Sequence, residues 1–206
     1  MAVDPLIPPG GWAGPDRVRL DAPPPRRQGW LLRVVGQASR LFGRNQLPNV
    51  FPLLHRHPRL FWGWLVFAAQ MMPFGTLSGR QREALILRTA WLNRSRYEWA
   101  QHVEIALREG LTATEIHTLA LAPTTSTDPD LALLLRCCDA LHQAPALPDE
   151  LWQPLLQRHG ERGALEVMML VGHYRMLAAV LNSSGLPLEP SIEAALADFH
   201  RQLSSH

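Results

Sequence analysis

The chain has no lysine: all twenty of the basic side chains among its 206 residues are arginine. That absence excludes Schiff-base and pyridoxal-type lysine chemistry and a phosphate-loop lysine. It also excludes a buried amine of tunable pKa, because a guanidinium stays protonated at any working pH. Cysteine is nearly absent too. Cys137 and Cys138 are adjacent in the chain, a poor placement for an ordinary disulfide, and they read as structural side chains with no call for an oxidising compartment. There is no large surplus of either charge. Eighteen acids against twenty arginines leave +2, which implies no polyanionic partner, so nucleic acid is not expected. Met1 to Trp12 lack a basic stretch followed by an apolar run, so no signal peptide is read. The most apolar stretch, Leu60 to Phe74, is interrupted at Gln70 and broken at Pro73. Its length of about fifteen residues falls short of the ~20 a spanning helix needs. The expectation is a cytoplasmic protein without a membrane partner.

What is present is helical. No stretch alternates apolar and polar residues long enough for a strand, whereas the 3.6-residue period runs through most of the chain. Residues 1–25, with seven prolines and three glycines, read as an arm that is either disordered or draped on a partner. Residues 26–206 read as one all-α domain of roughly nine helices. The first is expected from Arg27 onward, with Trp30, Leu31, Val34, Val35, Ala38, Leu41 and Phe42 on one face. Pro58 opens a second, to about Met72. Ser78 with Gln81 makes a capping box for a helix reaching Leu92, and Arg96–Arg108 follows. Thr112 with Glu115 makes another capping box for Ala113–Leu121, and Asp128-Pro129 opens Asp130–His142. Helices at Asp149–His159, Gly163–Ser183 and Ser191–Leu203 complete the set.

Charge is unevenly spread. Residues 1–100 hold fourteen arginines and five acids (+9), and residues 101–206 hold six arginines and thirteen acids (−7). Such asymmetry can steer an anionic ligand or help subunits pack head to tail, and its plainest reading is two solvated surfaces of different sign.

The chemistry-bearing segment is Arg80 to Ile116. Glu83 leads an apolar helix. On the next helix Glu98 and His102 stand four residues apart, hence on one face and within hydrogen-bonding reach. A carboxylate beside an imidazole suits proton transfer near neutral pH, and is equally compatible with an inert surface pair. Glu83, Glu98 and His102 together resemble a metal ligand set, but the carboxylate-bridged di-iron pattern wants two Glu-x-x-His copies. One copy at a spacing of four argues for no metal. His55 and His57 flank Arg56 as a helix-boundary pair, and Trp62 and Trp64 read as core.

These residues resemble the carboxymuconolactone decarboxylase and AhpD-like family of all-helical proteins. The likeness rests on Arg82-Glu83-Ala84-Leu85-Ile86-Leu87, then on His102 followed by Gly110-Leu111-Thr112 and Glu115-Ile116. A later half, with Leu141-His142, Trp152, Val171-Gly172-His173-Tyr174-Arg175-Met176 and Asn182, is similar to longer two-part members, so the resemblance spans about residues 48–190. The peroxidase branch carries E-x11-C-x2-C-x3-H. Counted from Glu83, the cysteine positions fall on Ser95 and Glu98 and the histidine on His102. The register is kept without the thiols. Serine and glutamate cannot perform the disulfide exchange, which argues against alkylhydroperoxidase activity. The resemblance therefore implies a cofactor-free acid/base enzyme that decarboxylates or tautomerises a small lactone or cyclic acid. His102 would shuttle the proton, Glu98 and Glu83 would orient it, and Arg88, Arg96, Tyr97 and Tyr174 would bind the acidic substrate. The alternative is a non-catalytic helical binding or assembly protein that keeps the fold. The resemblance also implies a homo-oligomer, a trimer or a hexamer.

Overall fold

The computed structural model describes residues 6–24, 32, 34, 36, 47–121 and 126–204. Among them there are eight helices and no strand: α1 (Val50–Leu54), α2 (Pro58–Ala69), α3 (Gly79–Leu92), α4 (Arg96–Arg108), α5 (Ala113–Thr118), α6 (Pro129–Gln143), α7 (Asp149–Ser184) and α8 (Pro190–Ser204). The helix expected from Arg27 onward lies almost wholly outside the described residues.

Local chemistry sets most of the boundaries. The Ser78 side chain accepts from the Gln81 amide while Gln81 reaches back to the Ser78 amide, and Thr112 and Glu115 repeat the arrangement at α5. Each reciprocal pair satisfies two of the amides that a helix start leaves orphaned. Asp128 accepts from the amides of Asp130 and Leu131, with Pro129 at the first helical position. His57, at the helix boundary, accepts from Leu60 N and so caps α2.

Two differences from the sequence reading have backbone causes. The short α1 was not foreseen; its five residues are too few to show a period. The helices expected at Asp149–His159 and Gly163–Ser183 run into one another as α7, whose backbone leaves helical geometry only at Gly160 (φ 64°, ψ −178°). Only glycine adopts that conformation without strain. By length and composition alone α7 could cross a membrane, but half of its apolar window is buried inside this fold.

The centre of the molecule is α3. Ten consecutive residues, Arg82 to Trp91, are buried, because the helix packs against α4, α6 and α7 on different sides. A helix so enclosed has no polar face to turn outward. One side joins a core of Leu85 and Ile86 with Leu134, Cys138, Val167, Leu170 and Tyr174. The other joins Ala84, Leu87 and Trp91 with Trp99, Val103, Leu135 and Phe199.

The arm lies against its own chain over residues 6–24. Ala13 N donates to Arg94 O at 2.8 Å, Arg19 N to Ser184 O at 2.8 Å, and Arg94 Nη1 to Gly10 O at 2.9 Å. Trp12 packs edge-on to Trp91, with ring centres 5.5 Å apart. Its prolines meet the left-handed turn at Gly185, where an added Cβ would lie 2.9 Å from Pro15. An arm with no period of its own is thus held by hydrogen bonds to backbone groups and one partly buried indole.

Candidate functional site

The site is assembled across the turn between α3 and α4. Arg94, in the left-handed region at φ 52°, reverses the chain, and the Asn182 side chain donates to Asn93 O at 3.0 Å to hold the turn to α7. At the other end of α3, Glu166 of α7 accepts from the amides of Thr76 (2.6 Å) and Leu77 (3.1 Å). α3 is therefore tied to α7 at both of its ends, and α4 folds back against it through the turn.

Glu83 and His102 meet in this way. His102 Nδ1 lies 2.6 Å from Glu83 Oε2, and Arg82 Nε donates to Glu83 Oε1 at 3.0 Å. Glu83 is fully buried. Burial alone would raise its pKa, but the charge and hydrogen bond of His102, then those of Arg82, outweigh it and hold the carboxyl below its ordinary value. An ionised carboxylate only accepts, so the proton of that contact is on Nδ1. Nε2 is then the ring nitrogen for exchange with anything outside the pair. The Tyr174 ring stands edge-on to His102 at 5.1 Å.

Glu98 does not pair with His102, contrary to the expectation from their spacing. Neither of its carboxyl oxygens makes a hydrogen bond of ordinary geometry, and the buried Ser95 hydroxyl is likewise without one. Burial pushes the Glu98 pKa up to about 8, offset only weakly by Ser95, so this carboxyl is protonated at neutral pH. Glu83 takes the imidazole because His102 projects across the helix pair toward α3.

Three of the expected substrate-binding side chains are committed elsewhere. Arg88 grips Asp139 with Nε at 2.6 Å and Nη2 at 3.1 Å, and its Nη1 donates to the carbonyls of Leu119 and Leu121. Arg96 makes a two-pronged pair with Glu193 on α8, both contacts at 2.7 Å. Tyr97 donates to Glu189 Oε1 at 2.7 Å and accepts from Val50 N at 3.2 Å. Tyr174 alone of the four stands against the His102 ring.

Three side chains outside the expected site set also belong to this region. Arg82 adds to His102 in holding Glu83 ionised. Glu189, buried, gathers Tyr97, Gln101 and the Asn49 amide. Its only sequence signal was a lone acid between two prolines. His173 stacks on Trp64 (6.1 Å, 19°), stands edge-on to Phe67 (5.4 Å), and adjoins Tyr174 at 5.1 Å. Its neighbour Tyr174 was the available signal. Among the described residues no group of three His, Cys, Asp or Glu is placed to hold a metal ion.

This all-helical frame is the AhpD-like fold. The structure is similar to a peroxidase-related protein from Silicibacter sp. TM1040 (TM-score 0.74, 15% identity, covering 87% of this chain and 95% of that one). It is also similar to a peroxidase-related protein with an alkylhydroperoxidase AhpD core from Ralstonia eutropha JMP134 (TM-score 0.74, 17% identity, 85% and 94% covered). A third similar structure is a debrominase, Bmp8, as a cysteine-to-alanine variant with 2,3,4-tribromopyrrole (TM-score 0.70, 15% identity, 89% and 98% covered). No curated protein sequence matches the chain. Residues 58–135, which contain Glu83, Glu98 and His102, match the carboxymuconolactone decarboxylase family.

Proposed function

We propose that the protein is a thiol-free acid/base enzyme of the carboxymuconolactone decarboxylase class, decarboxylating or tautomerising a small cyclic or lactone substrate. The observation that carries this reading is the buried 2.6 Å contact between Glu83 and His102. The carboxylate holds the imidazole in one tautomer and stabilises the imidazolium formed when Nε2 takes a proton. Glu98, one helical turn before His102, supplies the complementary acid. Two carboxyls whose surroundings drive their pKa values apart are the usual arrangement for separating base and acid roles. In a tautomerisation the substrate carbon gives its proton to His102 while Glu98 protonates the carbonyl oxygen. The enol is an isomer of the substrate, and proton return from His102 to Glu98 through solvent restores the site.

The thiols take no part in this reading. Both cysteines are buried on α6, and burial pushes them up to about 11 (Cys137) and about 12 (Cys138), so neither is a thiolate at neutral pH. Arg88 and Arg96 are given up as anion ligands because their partners already occupy them. A homo-oligomeric, cytoplasmic enzyme is proposed on the family resemblance. Leu60 and Val66 of α2 and Leu165, Met169 and Met176 of α7 expose apolar surface suited to subunit contact.

The test is turnover of a panel of cyclic β-keto acids and lactones in D2O, followed by carbon dioxide release and by loss of the carbon-bound proton signal. His102→Ala is expected to lower the rate roughly 10²–10⁴-fold with an unchanged circular dichroism spectrum. Full activity in that variant would end the assignment.

A further inference from the structure

The residues around the dyad also bear on what kind of molecule they receive. Three buried polar groups beside it have no hydrogen-bond partner: Trp64 Nε1, His173 Nδ1 and the Glu98 carboxyl. Leaving such atoms unmatched costs about 1–3 kcal/mol each, and native proteins leave few of them without a use. These groups also share a charge state. An indole is neutral, Glu98 is protonated, and burial together with the nearby His102 pushes His173 down to about 4, so its imidazole is neutral too.

Among the described residues, the arginines from Arg80 to Arg96 are all spoken for. Arg82 is held by Glu83 and Glu109, Arg88 by Asp139, Arg96 by Glu193, Arg80 by Glu115 and Arg94 by Gly10 O. Binding a carboxylate would require breaking one of these pairs or placing an anion among neutral donors. Burying an anion without a cation is strongly unfavourable. The aromatic content points the same way. Trp64, Phe67, His173 and Tyr174 form a continuous run of ring contacts, at 6.1, 5.4 and 5.1 Å, which ends edge-on to the His102 ring. Flat apolar faces with a few inward polar atoms select planar rings with hydrogen-bonding substituents.

We infer that the wall formed by Trp64, His173 and Tyr174 beside the dyad is a binding subsite for an uncharged planar ring bearing hydroxyl, carbonyl or ring N–H groups, and that it disfavours carboxylates. This rests on the proposed acid/base reading of the same site and narrows it to the tautomerisation branch. Trp64 and Phe67 are carried by α2 and His173 and Tyr174 by α7, so the subsite lies where these two helices meet.

The experiment is isothermal titration calorimetry of the full chain at pH 7 with two probes of one ring, 2-naphthol and 2-naphthoate. The naphthol is expected to bind at least about tenfold more tightly. Trp64→Phe and His173→Phe, which keep a ring and lose the polar atom, should each weaken it by about tenfold, the usual size of one lost hydrogen bond. Naphthol affinity is read without turnover, so a failure of the catalytic reading (normal selective binding, no turnover) and a failure of the subsite separate cleanly. Equal or tighter binding of naphthoate overturns the inference. So does indifference of naphthol to both phenylalanine variants, or absence of binding by either probe.

Discussion

Glu83 near the start of α3 and Glu98 near the start of α4 are both sealed from solvent, at 0% and 3% exposure, yet one is charged and the other neutral. Glu83 has His102 and Arg82 against its two oxygens and remains a carboxylate. Glu98 has neither a cation nor a well-formed hydrogen bond and keeps its proton. Burial is nearly the same for both, so the partner, and not the depth, decides the protonation state. One helical hairpin thereby carries one charged and one neutral buried carboxyl.

Removing the Glu83 carboxylate breaks the comparison most severely. Glu83→Ala leaves His102 without its partner and leaves Arg82 only Glu109, which is about two-fifths exposed. The expected loss is about 3–5 kcal/mol, the usual cost of stranding one half of a buried charge pair, read from urea denaturation at pH 7.

The two carboxyls should also respond to pH with opposite sign. The folded protein keeps a proton on Glu98 up to about pH 8, whereas the unfolded chain releases it near the ordinary value of 4.5. Between those values the folded state binds more protons, so stability falls as pH rises. The contribution of Glu83 is present above the ordinary carboxylate pKa and is lost as pH falls through its lowered value. Glu98→Gln, which resembles the protonated acid, should abolish the decline between pH 4.5 and about 8 and leave the acid limb in place. Thermal melting across the pH range measures both limbs, and an unchanged alkaline limb in the variant would show that Glu98 is not the group responsible.

Tyr97 and Arg96 sharpen the comparison from outside the dyad, since both were expected at the substrate and both face the α8 end. Tyr97→Phe removes the 2.7 Å donor to buried Glu189 and is expected to cost about 1–3 kcal/mol, with turnover preserved. Arg96→Ala breaks an ion pair whose side chains are 42% and 45% exposed. Its cost is expected to be about 0–1 kcal/mol, again without effect on turnover. A large drop in kcat from either change would return that side chain to the site.

Much of this was legible in the sequence wherever the governing interaction is local. The capping boxes at Ser78–Gln81 and Thr112–Glu115, the Asp128-Pro129 start and the bounds of α4 could all be read from residues within four of one another. Glu83 and His102 were also legible, through the register they share with a known pattern. The pairing between them was not. Glu98 lies one turn from His102 in the chain, and spacing favours that pair; Glu83 wins only because α4 is rotated so that the imidazole projects toward α3. Arg88 and Arg96 looked free because Asp139 and Glu193 lie 51 and 97 residues further along the chain. Trp64 and His173, 109 positions apart, share no local pattern that would bring their rings together. The sequence by itself determined the helices, the missing amine and thiol chemistry, and the groups available for proton transfer, since these follow from residue type and near neighbours. The tertiary structure alone decided which carboxyl is charged, which arginines are spent and which rings face the histidine, because those depend on how separate helices turn against each other.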